Sequence, residues 1–263
     1  MNIDLTGKNA LVCGSSKGIG KASAIELALL GANITLVARN EVVLKETLQQ
    51  LDTSKNQQHD YTVIDFSNYK NVETAVWQLM QKRNEPYHIL VNNTGGPAGG
   101  LAIDAETTAF LQAFNNHLLC NHVITKAVVE GMKKAGYGRI INIISTSVKQ
   151  PLPGLGVSNT IRGAVANWAK TLANELGKFG ITVNNVLPGA TSTDRMKEIL
   201  ESKSAKSSLS VEAVAEEMEK EIPLGRFAEP HEVAAAVAFL ASPAAAYING
   251  INVPVDGGRT GCL

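Results

Sequence analysis

Apolar and polar positions along the 263-residue chain fall into two alternating patterns. Short, almost wholly apolar runs at 10–13, 33–37, 61–64, 88–91, 139–144, 181–187 and 251–255 predict strands. Between them, apolar residues recurring every three or four positions predict helices at 19–30, 41–51, 69–82, 105–134, 158–178 and 230–241. Strands alternating with helices of this length need right-handed crossovers, which make the sheet parallel and cover both its faces. The predicted fold class is therefore α/β, a doubly wound parallel sheet of about seven strands in a single domain over 1–263. In such sheets ligands collect at the carboxyl ends of the strands, so the residues just after each strand are the ones to read for chemistry.

One segment breaks the alternation. Residues 191–223 are rich in Ser, Lys and Glu, with Met196, Ile199, Leu200, Leu209, Val214 and Met218 interspersed. Lying after the sixth strand, the segment reads either as a solvated helical insertion or, by position, as a lid whose apolar side chains touch substrate.

Charge is balanced at 24 basic and 24 acidic residues, which gives no electrostatic reason to expect nucleic acid or an anionic membrane as partner. Cys13, Cys120 and Cys262 have no disulfide or metal spacing. Together with an N-terminal MNIDLTGK that lacks an apolar signal segment, they lead us to expect a cytoplasmic protein with reduced thiols. No metal site is expected either: His117 and Cys120 share a helix face, but His122 lies five along from His117 and no fourth ligand is evident.

The first predicted strand runs straight into Gly14-Ser15-Ser16-Lys17-Gly18-Ile19-Gly20, which turns it into a helix. Glycine permits positive φ and close approach to a ligand, and a helix start offers free N–H groups to an anion, so the turn suits a pyrophosphate. Arg39 follows the second strand, where a carboxylate would accept the ribose 2′-hydroxyl of NAD. The chain offers Lys17 and Arg39 instead, two cations suited to a 2′-phosphate, and NADP(H) is the expected cofactor.

Further landmarks follow in order: Asp65, Asn92-Asn93-Thr94-Gly95, Ser145, Pro188-Gly189 with Thr193, and GRFAEPHEVAAAVAFLASPAAAYINGINVPVDGG from Gly225 to Gly258. Over nearly its whole length the chain thus resembles the short-chain dehydrogenase/reductase superfamily, most closely its 3-oxoacyl-thioester reductase-like members. The resemblance implies a Rossmann-type fold and an oxidoreductase that moves hydride between nicotinamide and a carbonyl/alcohol pair, with a small molecule or an acyl thioester as substrate. It implies that Asp65 contacts adenine, that Asn92, Thr94 and Gly95 lie along the ribose, and that Pro188, Gly189 and Thr193 hold the carboxamide. A homotetramer is implied as well.

The reacting groups depart from the family's Asn, Ser, Tyr and Lys. Ser145 matches, but thirteen residues on, where the tyrosine belongs, stands Ser158, and Arg162 replaces the lysine. His117 falls at the asparagine position, with Asn115, Asn116 and Asn121 close by, and Thr94 replaces the usual alanine. Arg162 can donate to the ribose and set a permanent charge near a developing alkoxide, yet it cannot relay a proton. The candidate catalytic residues are Ser145, Ser158, Arg162 and His117, the last as a substitute acid because an unperturbed imidazole titrates near neutrality. The alternative is a cofactor-binding but catalytically impaired homologue that serves as a sensor or as the inactive partner of another subunit.

Overall fold

The computed structural model describes residues 1–83 and 85–262. Its strands are β1 (Asn9–Cys13), β2 (Asn33–Ala38), β3 (Asp60–Val63), β4 (Ile89–Asn92), β5 (Gly138–Ile143), β6 (Ile181–Pro188) and β7 (Asn252–Val255). They form one parallel sheet in the order β3-β2-β1-β4-β5-β6-β7, the doubly wound arrangement that the apolar runs predict. The helices are α1 (Gly18–Leu29), α2 (Glu41–Leu48), α3 (Tyr69–Gln81), α4 (Thr107–Phe114), α5 (Cys120–Ala135), α6 (Gly156–Leu176), α7 (Asp194–Ser207), α8 (Val211–Lys220) and α9 (Pro230–Ala241).

The central strands are apolar on alternate faces because both faces are covered. Ala10, Val12, Ile89, Val91, Ile141 and Val186 pack with residues of α1 and α9, while Leu11, Leu90, Ile140 and Val183 pack with those of α3, α5 and α6. Since β1 lies between β2 and β4, the strand order reverses there and the crossovers leave on opposite faces. In such sheets this reversal makes the carboxyl ends of β1 and β4 the place for a ligand crevice.

Two predicted features come out differently. The helix expected over 105–134 is interrupted by a π turn at Asn115–Leu119 between α4 and α5. Its cause is tertiary: Asn115 accepts from the Tyr69 N–H at 3.1 Å and donates to the Ser67 carbonyl at 2.9 Å, which docks this turn on the segment leading into α3. The 191–223 segment forms α7 and α8, and Leu200, Val214 and Met218 are buried against one another with Met196, Val211 and Phe227 around them. Most of the apolar residues that the lid reading offers to substrate form the hairpin's own small core, because two amphipathic helices bury their stripes together when they can.

A polar row crosses the α3/α5/α6 side of the sheet. Asn92, Asn142, Asn185 and Asn252 occupy the same register on β4, β5, β6 and β7. Asn92 Nδ2 donates to Asn142 Oδ1 at 2.9 Å, Asn142 Nδ2 to Asn185 Oδ1 at 2.9 Å, and Asn185 Nδ2 to Asn252 Oδ1 at 2.8 Å. Each inner amide gives and receives one bond, which offsets the desolvation of a group that would otherwise be costly to bury. Replacing a middle rung orphans a donor on one side and an acceptor on the other. Asn142→Leu should therefore cost about 2–5 kcal/mol, against about 1 kcal/mol for Asn252→Val at the partly exposed end; urea denaturation midpoints of the two variants check the ranking.

Candidate active site

The crevice starts at the turn after β1. Gly14 (φ +60°) and Gly18 (φ +56°) are left-handed, a conformation that side chains of L-residues resist. At Gly14 a Cβ would also lie 2.6 Å from the Asn93 carbonyl oxygen, so the ends of β1 and β4 meet only because no side chain stands between them. Asn93 Nδ2 donates to the Gly14 carbonyl at 3.2 Å and pins that meeting. At the start of α1, Lys17 is extended, no side chain caps the helix, and no acidic residue lies in its first turn. Its N–H groups and the positive end of its dipole face the crevice uncompensated.

Around this turn Lys17 and Arg39 are exposed, Lys17 with its Nζ 3.3 Å from Asp194 at the start of α7. Ser15 is buried and structural: its Oγ accepts from the Val37 N–H at 2.9 Å. Ser16, Ile19 and Gly20 complete the turn, and Gly20 packs against Gly14. Asp65 is exposed beyond β3, with Oδ1 accepting from the Ser67 N–H. Gly189 donates its N–H to the Val255 carbonyl beside Pro188, and Thr193 caps α7 with its methyl group beside Gly18. Arg195, two residues on, spans the crevice mouth to donate to the Pro97 carbonyl at 2.8 Å.

Two residues expected along a ribose have other partners. The Asn92 side chain is 1 % exposed and committed to the asparagine row, with Oδ1 sealed and unpartnered. Thr94 Oγ1 shares a 2.5 Å hydrogen bond with His117 Nδ1. Gly95 has open space where a side chain would lie, and a Cβ on the exposed Gly96 beside it would lie 3.8 Å from Arg162 Nη2.

The candidate reacting groups stand after β5, on α6 and in the π turn. Ser145 stands two residues after β5 and accepts from the Ser147 N–H at 3.1 Å, which leaves its own hydrogen free to donate. Ser158 lies on α6 one turn before Arg162, on the same face, and is half-buried. The preceding loop is held down by Asn159, whose Nδ2 donates to the Leu152 carbonyl at 2.9 Å. Arg162 is buried, donates through Nη1 to the Ile143 carbonyl at 3.1 Å, and has Nη2 facing Gly96. Burial pulls its pKa down to about 10, so it keeps its charge at neutral pH. His117, in the π turn, is 2 % exposed, and burial, aided by the Arg162 charge, pushes its pKa down to about 2. The imidazole is neutral. These surroundings oppose the imidazolium acid titrating near neutrality that is expected for His117 from its type alone.

Sequence reasoning named these candidates but missed the Thr94–His117 bond and the asparagine row. Thr94 and His117 stood out singly as departures from the family pattern, and only the fold brings them together across 23 positions. Among the described residues no cluster of His, Cys, Asp or Glu could hold a metal, and no helix is long and apolar enough to cross a membrane. A separate opening of about 450 Å³, lined by Ser192, Glu219, Phe227, Glu229 and His231, lies between α8 and the start of α9. Its cation, Arg226, is already closed on Glu232 by two 2.7 Å bonds.

Known proteins resemble the chain over nearly its whole length. The family described as enoyl-(acyl carrier protein) reductase matches residues 14–260. The 3-oxoacyl-[acyl-carrier-protein] reductase FabG of Pseudomonas aeruginosa is 34% identical over 258 residues, 97% of this chain and 98% of that protein. Among solved structures, L-sorbose reductase from Gluconobacter frateurii complexed with NADPH and L-sorbose is 29% identical, with a TM-score of 0.92 and all of both chains covered. A single-substitution variant of actinorhodin polyketide ketoreductase with NADPH is 32% identical, with a TM-score of 0.89 over 97% of this chain and 98% of that one.

The His117 environment sets a pH dependence whose sign is fixed. Above the ordinary value of 6.5 the imidazole is neutral in both the folded and the unfolded chain, and its contribution is level. As pH falls from 6.5 towards 2, the unfolded chain binds a proton that the folded chain refuses, and stability drops by up to about 1.4 kcal/mol per pH unit. His117→Asn should flatten the fall in denaturation midpoint between pH 7 and pH 4.5, measured against the parent protein.

Proposed function

The chain belongs to the short-chain dehydrogenase/reductase family of oxidoreductases, and from that premise we propose that it is an NADP(H)-dependent reductase or dehydrogenase acting on a carbonyl/alcohol pair. The whole of 1–263 acts as one unit in this proposal, with the α7–α8 hairpin as a lid over the crevice. The observation that carries it is the turn after β1: an uncapped α1 start beside two left-handed glycines, with Lys17 and Arg39 at its rim.

These residues suit the cofactor physically. The open space at Gly95 and the free N–H groups of α1 suit a dinucleotide with its pyrophosphate on the helix start. Ala38-Arg39 supplies no carboxylate to favour a free 2′-hydroxyl, and a 2′-phosphate would take the place of Asp194 as partner of Lys17. The named relatives solved with NADPH support the same choice. When bound, the cofactor supplies the hydride.

The chain's own part is to hold the carbonyl and stabilise charge on its oxygen. Ser145 and Ser158 offer hydroxyl donors, and Arg162 places a fixed positive charge beneath them, one helical turn from Ser158. Neither hydroxyl is acidic, so the proton that completes the alcohol comes from solvent. Missing a positioned acid costs about 10²–10⁴-fold in rate and does not abolish reduction. Relatives named as 3-oxoacyl-[acyl-carrier-protein] reductases make 3-oxoacyl thioesters the first substrates to try. Assembly as a homotetramer belongs to the same proposal, supported by Leu111 and Phe114, which α4 leaves exposed.

Two experiments test it. Titration with NADPH, followed by fluorescence or heat, should give saturable binding that Lys17→Ala with Arg39→Ala weakens roughly 10- to 100-fold, with NADH binding little changed; equal loss for both cofactors would remove the 2′-phosphate site. NADPH absorbance in the presence of 3-oxoacyl thioesters and simple ketones reads turnover. Ser158→Tyr with Arg162→Lys should raise it by up to about 10²–10⁴-fold if the acid is what is lacking, whereas binding without turnover across the panel would leave the impaired homologue standing.

A further inference from the structure

A threonine hydroxyl 2.5 Å from the ring of a nearly sealed histidine does more than fill space. Thr94 stands two residues beyond β4, where the stretch Gly95-Gly96 begins, and His117 occupies the middle of the π turn between α4 and α5. Such a turn widens a helix by one residue and re-aims the side chains it carries, and π turns recur at functional sites. Here the turn is pinned from outside by Asn115 on Ser67 and Tyr69, so the aim of His117 is set by the fold. The buried Arg162 has Nη2 facing the same glycine stretch, and its charge acts on His117. Burial first and that charge second oppose a cation on the ring. The imidazole is therefore held neutral, and a neutral ring has one donor and one acceptor nitrogen whose assignment is decided by whatever bonds the first.

We propose that Thr94 is a positioning residue: its hydroxyl donates to His117 Nδ1, fixes the imidazole as the Nε2–H tautomer, and turns that N–H into the hydrogen-bond donor for the substrate's carbonyl oxygen. The proposal rests on the reductase function above and deepens it by naming the group that stands in for the missing phenol. The donor does not give up its proton. Hydride and its electron pair reach the carbonyl carbon from the cofactor, the C=O π pair moves onto oxygen, His117 Nε2–H and the Arg162 charge stabilise that oxygen, and solvent protonates it. A neutral imidazole suits this role because it polarises without first having to be charged in a buried site. The Thr94 side chain, expected from sequence to lie against the cofactor, is thereby assigned to the histidine.

The decisive readout is the ¹⁵N NMR spectrum of the imidazole nitrogens in the full chain with NADPH bound, assigned through His117→Asn. His117 should show an unprotonated Nδ1, a protonated Nε2 and no titration between pH 5 and pH 8. Thr94→Ala should shift the ring towards a mixture of tautomers and lower kcat by about tenfold with the NADPH Kd unchanged, and Thr94→Ser should restore both signals. A protonated Nδ1 in the parent protein, or a Thr94→Ala variant whose only change is weaker NADPH binding, would overturn the assignment. Failure of NADPH to bind at all would strike the reductase function instead. The tautomer does not depend on turnover and can still be read in the cofactor-free chain, where the same two NMR outcomes decide between support and refutation.

Discussion

The structure depends on the close approach of the first and fourth strands at their carboxyl ends. A parallel sheet covered on both faces can place polar chemistry only where its strands stop, and the strand order reverses only between β1 and β4. There the Gly14 backbone lies against Asn93, with Asn93 Nδ2 bonded to the Gly14 carbonyl. Any side chain at Gly14 would push the two strand ends apart. The start of α1 and the Gly95-Gly96 stretch, which follow these ends directly, are thereby held at the same end of the sheet.

The asparagine row extends that control across the other half of the sheet. Strands slip easily in register when nothing but apolar packing holds them, and a one-residue slip exchanges the two faces. Along β4 to β7 a slip would also break every amide rung at once, leaving buried donors and acceptors unpaired. The segments that close the crevice, Gly95 onwards from β4, Ser145 from β5 and Gly189 from β6, therefore leave the sheet in fixed relative positions. A polar device inside the core thus has consequences at the working end.

Much of this was legible in sequence. The apolar runs at 10–13, 88–91 and 181–187 could be buried only in a two-faced sheet, and the glycine turn after the first of them needs no tertiary information to be read as a strand-to-helix junction. What escaped depends on partners far away in the chain. Asn92, Asn142, Asn185 and Asn252 each look like an ordinary polar strand residue, and only the register shows them to be rungs. The π turn leaves no periodic mark because its cause is Asn115 reaching to Ser67 and Tyr69. The apolar residues of 191–223 carried a real signal, but one that could not say whether Leu200 and Met218 face a substrate or each other. His117 shows the limit most clearly, since its residue type suggests titration near neutrality and its surroundings oppose it.

The departures from the family's reacting groups are physically linked. A lysine beneath a tyrosine lowers the phenol's pKa, and together they deliver a proton. An arginine in that place holds its charge throughout and accepts no proton in return, so a titrating acid above it would gain nothing from a relay. The same fixed charge acts on the nearest imidazole, where it adds to burial in keeping His117 neutral. Once Arg162 is present, a serine hydroxyl and a neutral ring are the donors compatible with it, and the Thr94 hydroxyl gives that ring a definite partner. In the proposed mechanism the site thereby stabilises negative charge on an oxygen rather than handing that oxygen a proton. For such a site the rate depends on how firmly the donors are aimed, which is why the constraints on the π turn and on the end of β4 bear directly on the chemistry.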